Sequence, residues 1–164
     1  MTLIQIDGMS GAGKTTVADF LSKCGYETVD ADAAFGYLGD PKTGEPVDEE
    51  HENNWIWDKE KVLSFARGST DKTVYVCGGA ANQEEIEYIF EKRIALVIDD
   101  ETMKHRLLGR TNNDFGKHPD VLARQLERNK GAVDYAKSIG ATIIDATRPI
   151  ELVVGDILEV TGQK

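Results

Sequence analysis

The chain has 164 residues, of which 40% are hydrophobic and 29% charged, and this composition predicts one soluble globular domain over residues 1–164. Its formal net charge of −10 argues against binding to nucleic acid or to an acidic membrane, since both need a basic surface. Two cysteines, no apolar run long enough for a membrane span and no signal-peptide pattern favour a cytoplasmic protein, which we expect to be a monomer or a homodimer.

Short apolar runs along the chain predict a parallel β-sheet. They do not alternate cleanly with polar residues, as is typical of strands buried on both faces. The predicted strands are residues 3–7, 27–30, 73–77, 93–98 and 141–145. Helical patterns occur at residues 14–23, 58–66, from Asn82 onwards, 100–110, 120–139 and from Pro149 onwards. This alternation predicts a three-layer α/β fold with a five-stranded parallel sheet.

A complete phosphate-binding motif follows the first predicted strand. Residues 8–15 read GMSGAGKT, which matches G-x-x-x-x-G-K-[ST], and they precede a predicted helix, as the motif requires. The glycines let backbone N–H groups face an anion at the positive end of that helix. We expect Lys14 to contact the β- and γ-phosphates of ATP and Thr15 to hold Mg²⁺. The predicted ATP-binding residues of this loop are Gly8, Ser10, Gly11, Ala12, Gly13, Lys14, Thr15 and Thr16.

This motif alone does not separate a kinase from a GTPase or a motor ATPase, so the rest of the sequence has to decide. A chain of 164 residues leaves no room for an oligomeric ATPase module with a helical lid domain. A GTPase of this size would carry the strings N-K-x-D and D-x-x-G, and neither occurs. The sequence therefore favours a small-molecule kinase.

Four stretches of the sequence are similar to segments of one group of enzymes. They read GMSGAGKTTVADFLSKCGYETVDADA (8–33), VCGGA (76–80), HRLLGR (105–110) and IDATRP (144–149). Together they span nearly the whole chain, and they resemble the small P-loop kinases: adenylate, shikimate, gluconate and dephospho-coenzyme A kinases. The resemblance implies a nucleotide-kinase-like P-loop NTPase fold with a short lid. It also implies an ATP-dependent phosphotransferase that uses Mg²⁺ and a small-molecule acceptor.

The resemblance further implies roles for residues outside the phosphate-binding motif. The last of the four stretches looks like the turn that touches adenine in these kinases, which places Arg148 in the ATP site. The glycine cluster of the second stretch is similar to that of shikimate kinases and places Gly78 and Gly79 at the acceptor. The acceptor segment is expected at about residues 33–66, and Asp32 is the better match for the catalytic base.

Two pairs of arginines flank an irregular stretch that we predict to be a lid, at about residues 110–124. Arg106 and Arg110 are four residues apart, as are Arg124 and Arg128, so each pair occupies one helix face. We expect the lid to close and the arginines to clamp the triphosphate. Arg106 and Arg110 are predicted to bind ATP, Arg110 and Arg124 to act in catalysis, and Arg128 to contact the acceptor. The alternative for each arginine is a surface salt bridge.

Two aspartates stand at the carboxyl end of the second predicted strand, where open α/β sheets bind ligands. If the strand continues, their spacing directs Asp30 and Asp32 to the same side. We predict that Asp30 holds Mg²⁺ together with Thr15, and that Asp32 accepts the proton of the acceptor hydroxyl. The reverse order and a helix-capping role are the alternatives. The third predicted strand ends at Cys77, without the acidic residue that often completes such a metal site.

The predicted acceptor segment is acidic: residues 33–66 contain eight acidic residues, three lysines and no arginine. Sites for phosphates and carboxylates normally supply arginine. We therefore predict a neutral acceptor, with a nucleoside as the first choice. The alternatives are an anionic acceptor, such as a nucleoside monophosphate or a shikimate-like or dephospho-coenzyme-A-like compound, and a nucleotide-binding regulatory protein with little turnover.

Within this segment, the string NNWIWD combines two amides with two indoles. Trp55 is predicted to cover a face of the acceptor, while Asn53 and Asn54 read its polar groups. The alternative is that one tryptophan belongs to the core and the other caps the helix that follows.

Overall fold

Parallel strands form the centre of the structure, which is a computed structural model that describes residues 1–48, 54–68, 71–111 and 113–163. The strands are β1 (Thr2–Gly8), β2 (Glu27–Asp30), β3 (Gly36–Leu38), β4 (Trp55–Trp57), β5 (Thr73–Cys77), β6 (Lys92–Val97) and β7 (Thr142–Asp145). Five of them form one parallel sheet in the order β2-β5-β1-β6-β7, and β3 and β4 form a separate antiparallel hairpin. All five predicted sheet strands are confirmed.

Seven α-helices are described, all in connections between strands or at the end of the chain. They are α1 (Lys14–Lys23), α2 (Ala31–Phe35), α3 (Lys59–Ala66), α4 (Asp100–Leu108), α5 (Pro119–Asn129), α6 (Ala132–Ser138) and α7 (Ile150–Val160). Three of their starts have aspartate caps: Asp30 accepts from the Ala33 N–H, Asp58 from the Lys61 N–H, and Asp99 from the Thr102 N–H.

Apolar side chains cover both faces of the sheet. On one face, Val17 and Leu21 of α1 pack with Met103 of α4 and Val153 of α7. On the other face, the core contains Phe35 of α2, Trp57 of β4 and Val62 of α3, among others. Because alternate residues of the strands enter the two cores, the predicted three-layer α/β arrangement is confirmed.

Two helix predictions are wrong. Asn82 does not begin an α-helix, since its amide bonds the backbone of Trp57 instead, and two single 3₁₀ turns follow, Gln83–Glu85 and Glu87–Ile89. The helix predicted at 120–139 is divided into α5 and α6. The buried amide of Asn129 anchors the end of α5 to the Ile98 carbonyl and the Asp100 carboxylate, and Gly131, a poor helix former, lies between the two helices.

The irregular part of the chain between α2 and α3 contains the hairpin, whose two strands have three residues each. Sequence analysis did not predict this hairpin, because three-residue strands leave too short a pattern to recognise. Asn53 of the predicted acceptor segment lies outside the described residues. No helix in the described part of the chain is long and apolar enough to cross a membrane.

Candidate functional site

The phosphate-binding motif forms a loop between the end of β1 and the start of α1. Gly11 and Gly13 have φ angles of 86° and 96°, which lie in the left-handed region that favours glycine. The Lys14 ammonium donates to the Gly8 carbonyl over 2.6 Å and so lies across the loop. The loop therefore has the backbone shape and the cation that a phosphate chain needs.

A first cavity of about 530 Å³ lies against this loop, and we call it the loop cavity. Its lining includes the predicted ATP-binding residues Ser10, Gly11, Ala12, Gly13, Lys14, Thr15, Thr16, Arg106, Arg110 and Arg148. Apolar walls come from Ile150 and Val153 of α7. The structure thus brings most of the predicted nucleotide residues to one place, including three from distant segments.

The three arginines of the loop cavity are held in different ways. Arg106 donates to the carbonyls of Gly11 and Ala146, over 3.1 and 2.8 Å, and so joins the phosphate loop to the turn after β7. Arg148 is paired with Asp156. Arg110 lies beyond the end of α4, and partial burial lowers the pKa of its guanidinium from the usual value. Arg106 and Arg148 are engaged by backbone carbonyls and by a carboxylate, whereas Arg110 lines the cavity and donates to the Asn113 side-chain oxygen over 3.4 Å.

A second cavity, of about 1030 Å³, lies over the face of the sheet, and we call it the sheet cavity. Ser10 and Lys14 line both cavities, so the two meet at the phosphate loop. Asp7, Asp32 and Trp55 line the sheet cavity near Lys14. A molecule in the sheet cavity would therefore reach the phosphate end of a molecule in the loop cavity.

Asp32 is held by both tryptophans of the chain. The indole N–H groups of Trp55 and Trp57 each donate to Oδ1 of Asp32 over 3.1 Å. Trp57 is fully buried in the core, while Trp55 is half-buried and lines the sheet cavity, so neither caps α3. A side chain at Gly78 would come within 2.9 Å of Oδ1, which explains the glycine there. Gly79 lines the sheet cavity and Gly78 does not.

Sequence analysis missed a second carboxylate, that of Asp7 at the end of β1. Burial raises the pKa of Asp7, the nearby Lys14 ammonium opposes that shift, and the carboxylate of Asp32 adds to it. A side chain at Gly79 would come within 2.4 Å of the Asp7 Oδ1 atom, so Gly79 leaves room for this carboxylate. The available signal was an acidic residue inside an apolar strand, immediately before the glycine-rich loop.

The strand ends at Asp30 and does not continue to Asp32, so the condition under which the two carboxylates would share one side is not met. The chain turns into α2 instead, where the Asp30 carboxylate caps the helix by accepting from the Ala33 N–H. Asp30 lines neither cavity. The capping alternative describes this residue, and its predicted metal role has no support in the geometry.

The oxygen atoms that line the two cavities fit the requirements of a magnesium site. The described residues contain no cluster of three His, Cys, Asp or Glu side chains placed to hold a metal. Mg²⁺ needs few protein ligands, because it keeps waters and binds substrate phosphates. The Thr15 hydroxyl on the loop cavity and the carboxylates of Asp7 and Asp32 beside Lys14 fit that requirement. Cys77 does not, since burial raises the pKa of its thiol to about 12.

The four lid arginines line two cavities that meet at the phosphate loop. Arg106 and Arg110 line the loop cavity, whereas Arg124 and Arg128 of α5 line the sheet cavity. Arg93 of β6 lines the sheet cavity as well. Arginines from outside residues 33–66 therefore line this cavity, so the charge of that segment alone does not decide the charge of the acceptor.

The floor of the sheet cavity is polar. The buried amide of Gln5 donates to Gln83 over 3.0 Å, and Gln83 donates to the Tyr135 hydroxyl over 2.7 Å. Arg93 donates to Gln5 and forms an ion pair of 2.6 Å with Glu87. These bonds connect the sheet with α6, and no pattern in the sequence indicated them because the partners come from four separate segments.

Comparisons with known proteins place the chain among phosphate-loop proteins. A family model described as AAA domain matches residues 4–132. No curated protein matches the sequence. A shikimate kinase from Bacteroides thetaiotaomicron is 20% identical, with a TM-score of 0.66 and 98% of each chain covered.

Two further solved structures have the same fold. The deoxyadenosine kinase from M. mycoides with bound dATP is 16% identical, with a TM-score of 0.61, covering 99% of this chain and 100% of that chain. A gluconokinase from Sinorhizobium meliloti 1021 is 18% identical, with a TM-score of 0.54, covering 96% and 90%. At these identities the likeness shows the fold, and the predicted small P-loop kinase fold is confirmed.

Proposed function

The chain belongs to the AAA domain family, and we propose that within this family it is an ATP-dependent small-molecule kinase. One observation carries the proposal: the loop cavity and the sheet cavity meet at Ser10 and Lys14. An enzyme that only hydrolyses ATP needs no second cavity of about 1030 Å³ beside the phosphate loop. The likeness to kinases of shikimate, deoxyadenosine and gluconate supports transfer to a small acceptor.

In the proposed reaction, ATP occupies the loop cavity and the acceptor occupies the sheet cavity. The acceptor hydroxyl oxygen attacks the γ-phosphorus, the bond from that phosphorus to the β–γ bridging oxygen breaks, and ADP leaves. The hydroxyl proton passes to Asp32. Lys14 and Arg110 neutralise charge on the phosphate chain, and Arg124 does so from the acceptor side.

We propose that Thr15 and Asp7 would hold Mg²⁺ together with the nucleotide phosphates. When bound, the ion neutralises phosphate charge. Asp7 replaces Asp30 in this assignment because Asp7 lies beside Lys14, whereas Asp30 caps α2.

A neutral acceptor of the nucleoside type is the first candidate. Near Lys14 the sheet cavity is lined by the carboxylates of Asp7 and Asp32 and by the indole of Trp55, which suit a hydroxyl compound with a flat face. An anionic acceptor is the second candidate, and the observation that favours it is that Arg124 and Arg128 line the same cavity.

Paired assays separate the two candidates. ATP consumption is measured with a panel of neutral or cationic compounds, each beside an anionic analogue: adenosine with AMP, sorbitol with gluconate, glucosamine with its 6-phosphate. We expect at least one member to raise ATP turnover and an Asp32→Ala variant to lose most, but not all, of the increase. A consistent advantage of the anionic members assigns Arg124 and Arg128 to the acceptor and removes the neutral candidate.

The remaining alternative is a regulatory protein that binds nucleotide with little turnover. Tight ATP binding without turnover for any member of the panel would favour it over the kinase. The cytoplasmic location, the monomeric or homodimeric state and the lack of nucleic-acid partners stay predictions.

A further inference from the structure

Both tryptophans of the chain donate to one carboxylate oxygen. Trp55 Nε1 and Trp57 Nε1 each lie 3.1 Å from Asp32 Oδ1. Among the described residues, Oδ2 of Asp32 accepts no hydrogen bond from the protein. A carboxylate fixed in this way has one oxygen for the protein and one for a ligand in the sheet cavity, which Asp32 lines.

The arrangement follows from the geometry of β4. Side chains in a strand alternate between its two faces, so the W-x-W spacing places both indoles on one face and Ile56, which is fully buried, on the other. A side chain at Gly36, opposite Trp57 in β3, would come within 2.3 Å of the Trp55 ring. The glycine therefore leaves the space in which the Trp55 indole reaches Asp32.

The loop after β5 holds β4 in place by hydrogen bonds. The Ala81 N–H donates to the Trp55 carbonyl over 2.9 Å. The Asn82 amide bonds Trp57 twice, since its oxygen accepts from the Trp57 N–H over 3.0 Å and its nitrogen donates to the Trp57 carbonyl over 2.9 Å. These bonds are additional to the pairing of β3 with β4. The Asn82 amide both donates to and accepts from the Trp57 backbone, as a residue of a neighbouring strand would do with its own N–H and carbonyl.

We propose that Trp55, Trp57 and Asn82 are positioning residues for phosphoryl transfer. The two indoles hold Asp32 Oδ1 so that Oδ2 meets the acceptor hydroxyl, and Asn82 holds the strand that carries the indoles. This inference rests on the proposed kinase function, in which Asp32 contacts the acceptor. It gives the hairpin a role in turnover that is separate from ATP binding, because none of these residues lines the loop cavity.

The Trp55→Phe variant tests the inference, since it keeps an aromatic wall and loses one N–H donor. With the panel compound of highest turnover, we expect kcat to fall between about tenfold and about a hundredfold, with the Kd for ATP unchanged. Asn82→Ala is expected to lower kcat in the same way. Tyr37→Phe is the matched control, because it removes a hydrogen bond of the same hairpin, to the Gly44 carbonyl, that does not involve Asp32.

A double-mutant cycle separates positioning from general damage to the hairpin. In an Asp32→Ala background, Trp55→Phe is expected to change kcat less than about twofold, because the group that the indole positions is gone. An equal loss in both backgrounds would overturn the inference. So would a Trp55→Phe variant that keeps the wild-type kcat.

Indole N–H resonances in ¹H–¹⁵N spectra of the full chain test the contact without turnover. The wild type should give two such resonances, and Asp32→Ala should move both upfield, while Tyr37→Phe leaves both in place. Resonances that Asp32→Ala does not move would overturn the inference even in an active kinase. A wild type that phosphorylates no acceptor would overturn the kinase function and the inference with it, whereas an active wild type with an unaffected Trp55→Phe variant overturns the inference alone.

Discussion

Two carboxylates stand beside Lys14, and their surroundings differ. Asp32 accepts two indole N–H groups, whereas Asp7 accepts the Gly8 N–H over 2.7 Å and is half-buried at the sheet cavity. Burial raises the pKa of Asp7 from its usual value. A desolvated carboxylate next to a phosphate site destabilises the ligand-free protein, and this cost is tolerated where binding or catalysis uses the charge.

The raised pKa of Asp7 predicts a pH-dependent stability. Between the usual aspartate pKa and the raised one, the folded state holds more protons than the unfolded state, so the free energy of unfolding falls as pH rises through that window. Asp7→Asn removes the titration and keeps an oxygen for the Gly8 N–H. We expect the variant to be more stable than the wild type at pH 7, with the difference shrinking as pH is lowered towards 4.

Thermal unfolding of the ligand-free wild type and of Asp7→Asn, across pH 4 to 7, measures this difference. Asp19→Asn, at an exposed position of α1, controls for the loss of one negative charge. A variant that is less stable than the wild type at every pH would show that the charge of Asp7 is compensated in the ligand-free protein.

Loss of the Lys14 cation should impair the use of ATP. The Lys14 ammonium lies across the phosphate loop and is the one side-chain cation that lines both cavities in the part of the chain that the structure describes. Lys14→Ala should lower kcat/KM for ATP by about a hundredfold or more. Lys23→Ala, an exposed lysine at the other end of the same helix, should leave it unchanged. Unchanged ATP binding and turnover in Lys14→Ala would contradict the ATP assignment.

At the scale of elements, two arginines from α4 and the residues after it line the loop cavity, and their hydrogen-bond partners differ. Arg106 bonds the carbonyls of Gly11 and Ala146 and so belongs to the resting structure of the loop. Arg110 has a desolvated guanidinium, with one long bond of 3.4 Å to Asn113. The first arginine shapes the site, and the second is placed to meet charge that develops on the phosphate chain.

Arg110→Ala should therefore lower kcat more than it weakens ATP binding, whereas Arg106→Ala should weaken ATP binding. Steady-state kinetics and equilibrium binding of ATP to both variants separate these effects, with the exposed Lys104→Ala on α4 as the control. A loss of ATP binding with full turnover in Arg110→Ala would place Arg110 on the base of the nucleotide instead.

The sheet could be predicted from the sequence because its strands are short local patterns rich in apolar and β-branched residues. The phosphate loop could be predicted because the spacing of its glycines and its lysine is what phosphate binding requires. The hairpin could not, since strands as short as Trp55–Trp57 depend on partners far along the chain, including Asn82. The i,i+4 spacing of Arg124 and Arg128 indicated one helix face correctly but not the cavity that this face meets, which depends on where α5 packs.

At the scale of the whole molecule, two apolar cores fix the sheet from both sides and leave the carboxyl edge of its strands to the site. The loop cavity and the sheet cavity both lie against the phosphate loop and meet at Ser10 and Lys14. Residues of α5 and α6 line the sheet cavity. Tyr135 of α6 is connected to Gln5 of the sheet through hydrogen bonds of the Gln83 side chain. The fold thus brings the proposed acceptor compartment and the proposed nucleotide compartment to the same lysine.

The fate of the γ-phosphate tests most directly whether a phosphoryl group passes between these two compartments. The protein is incubated with ATP labelled at the γ-phosphorus and the panel compound of highest turnover, and the products are separated. We predict label on the organic acceptor in an amount equal to the ADP formed, and no such product with Lys14→Ala. Label recovered only as inorganic phosphate, or ATP that stays bound and intact, would contradict the kinase function.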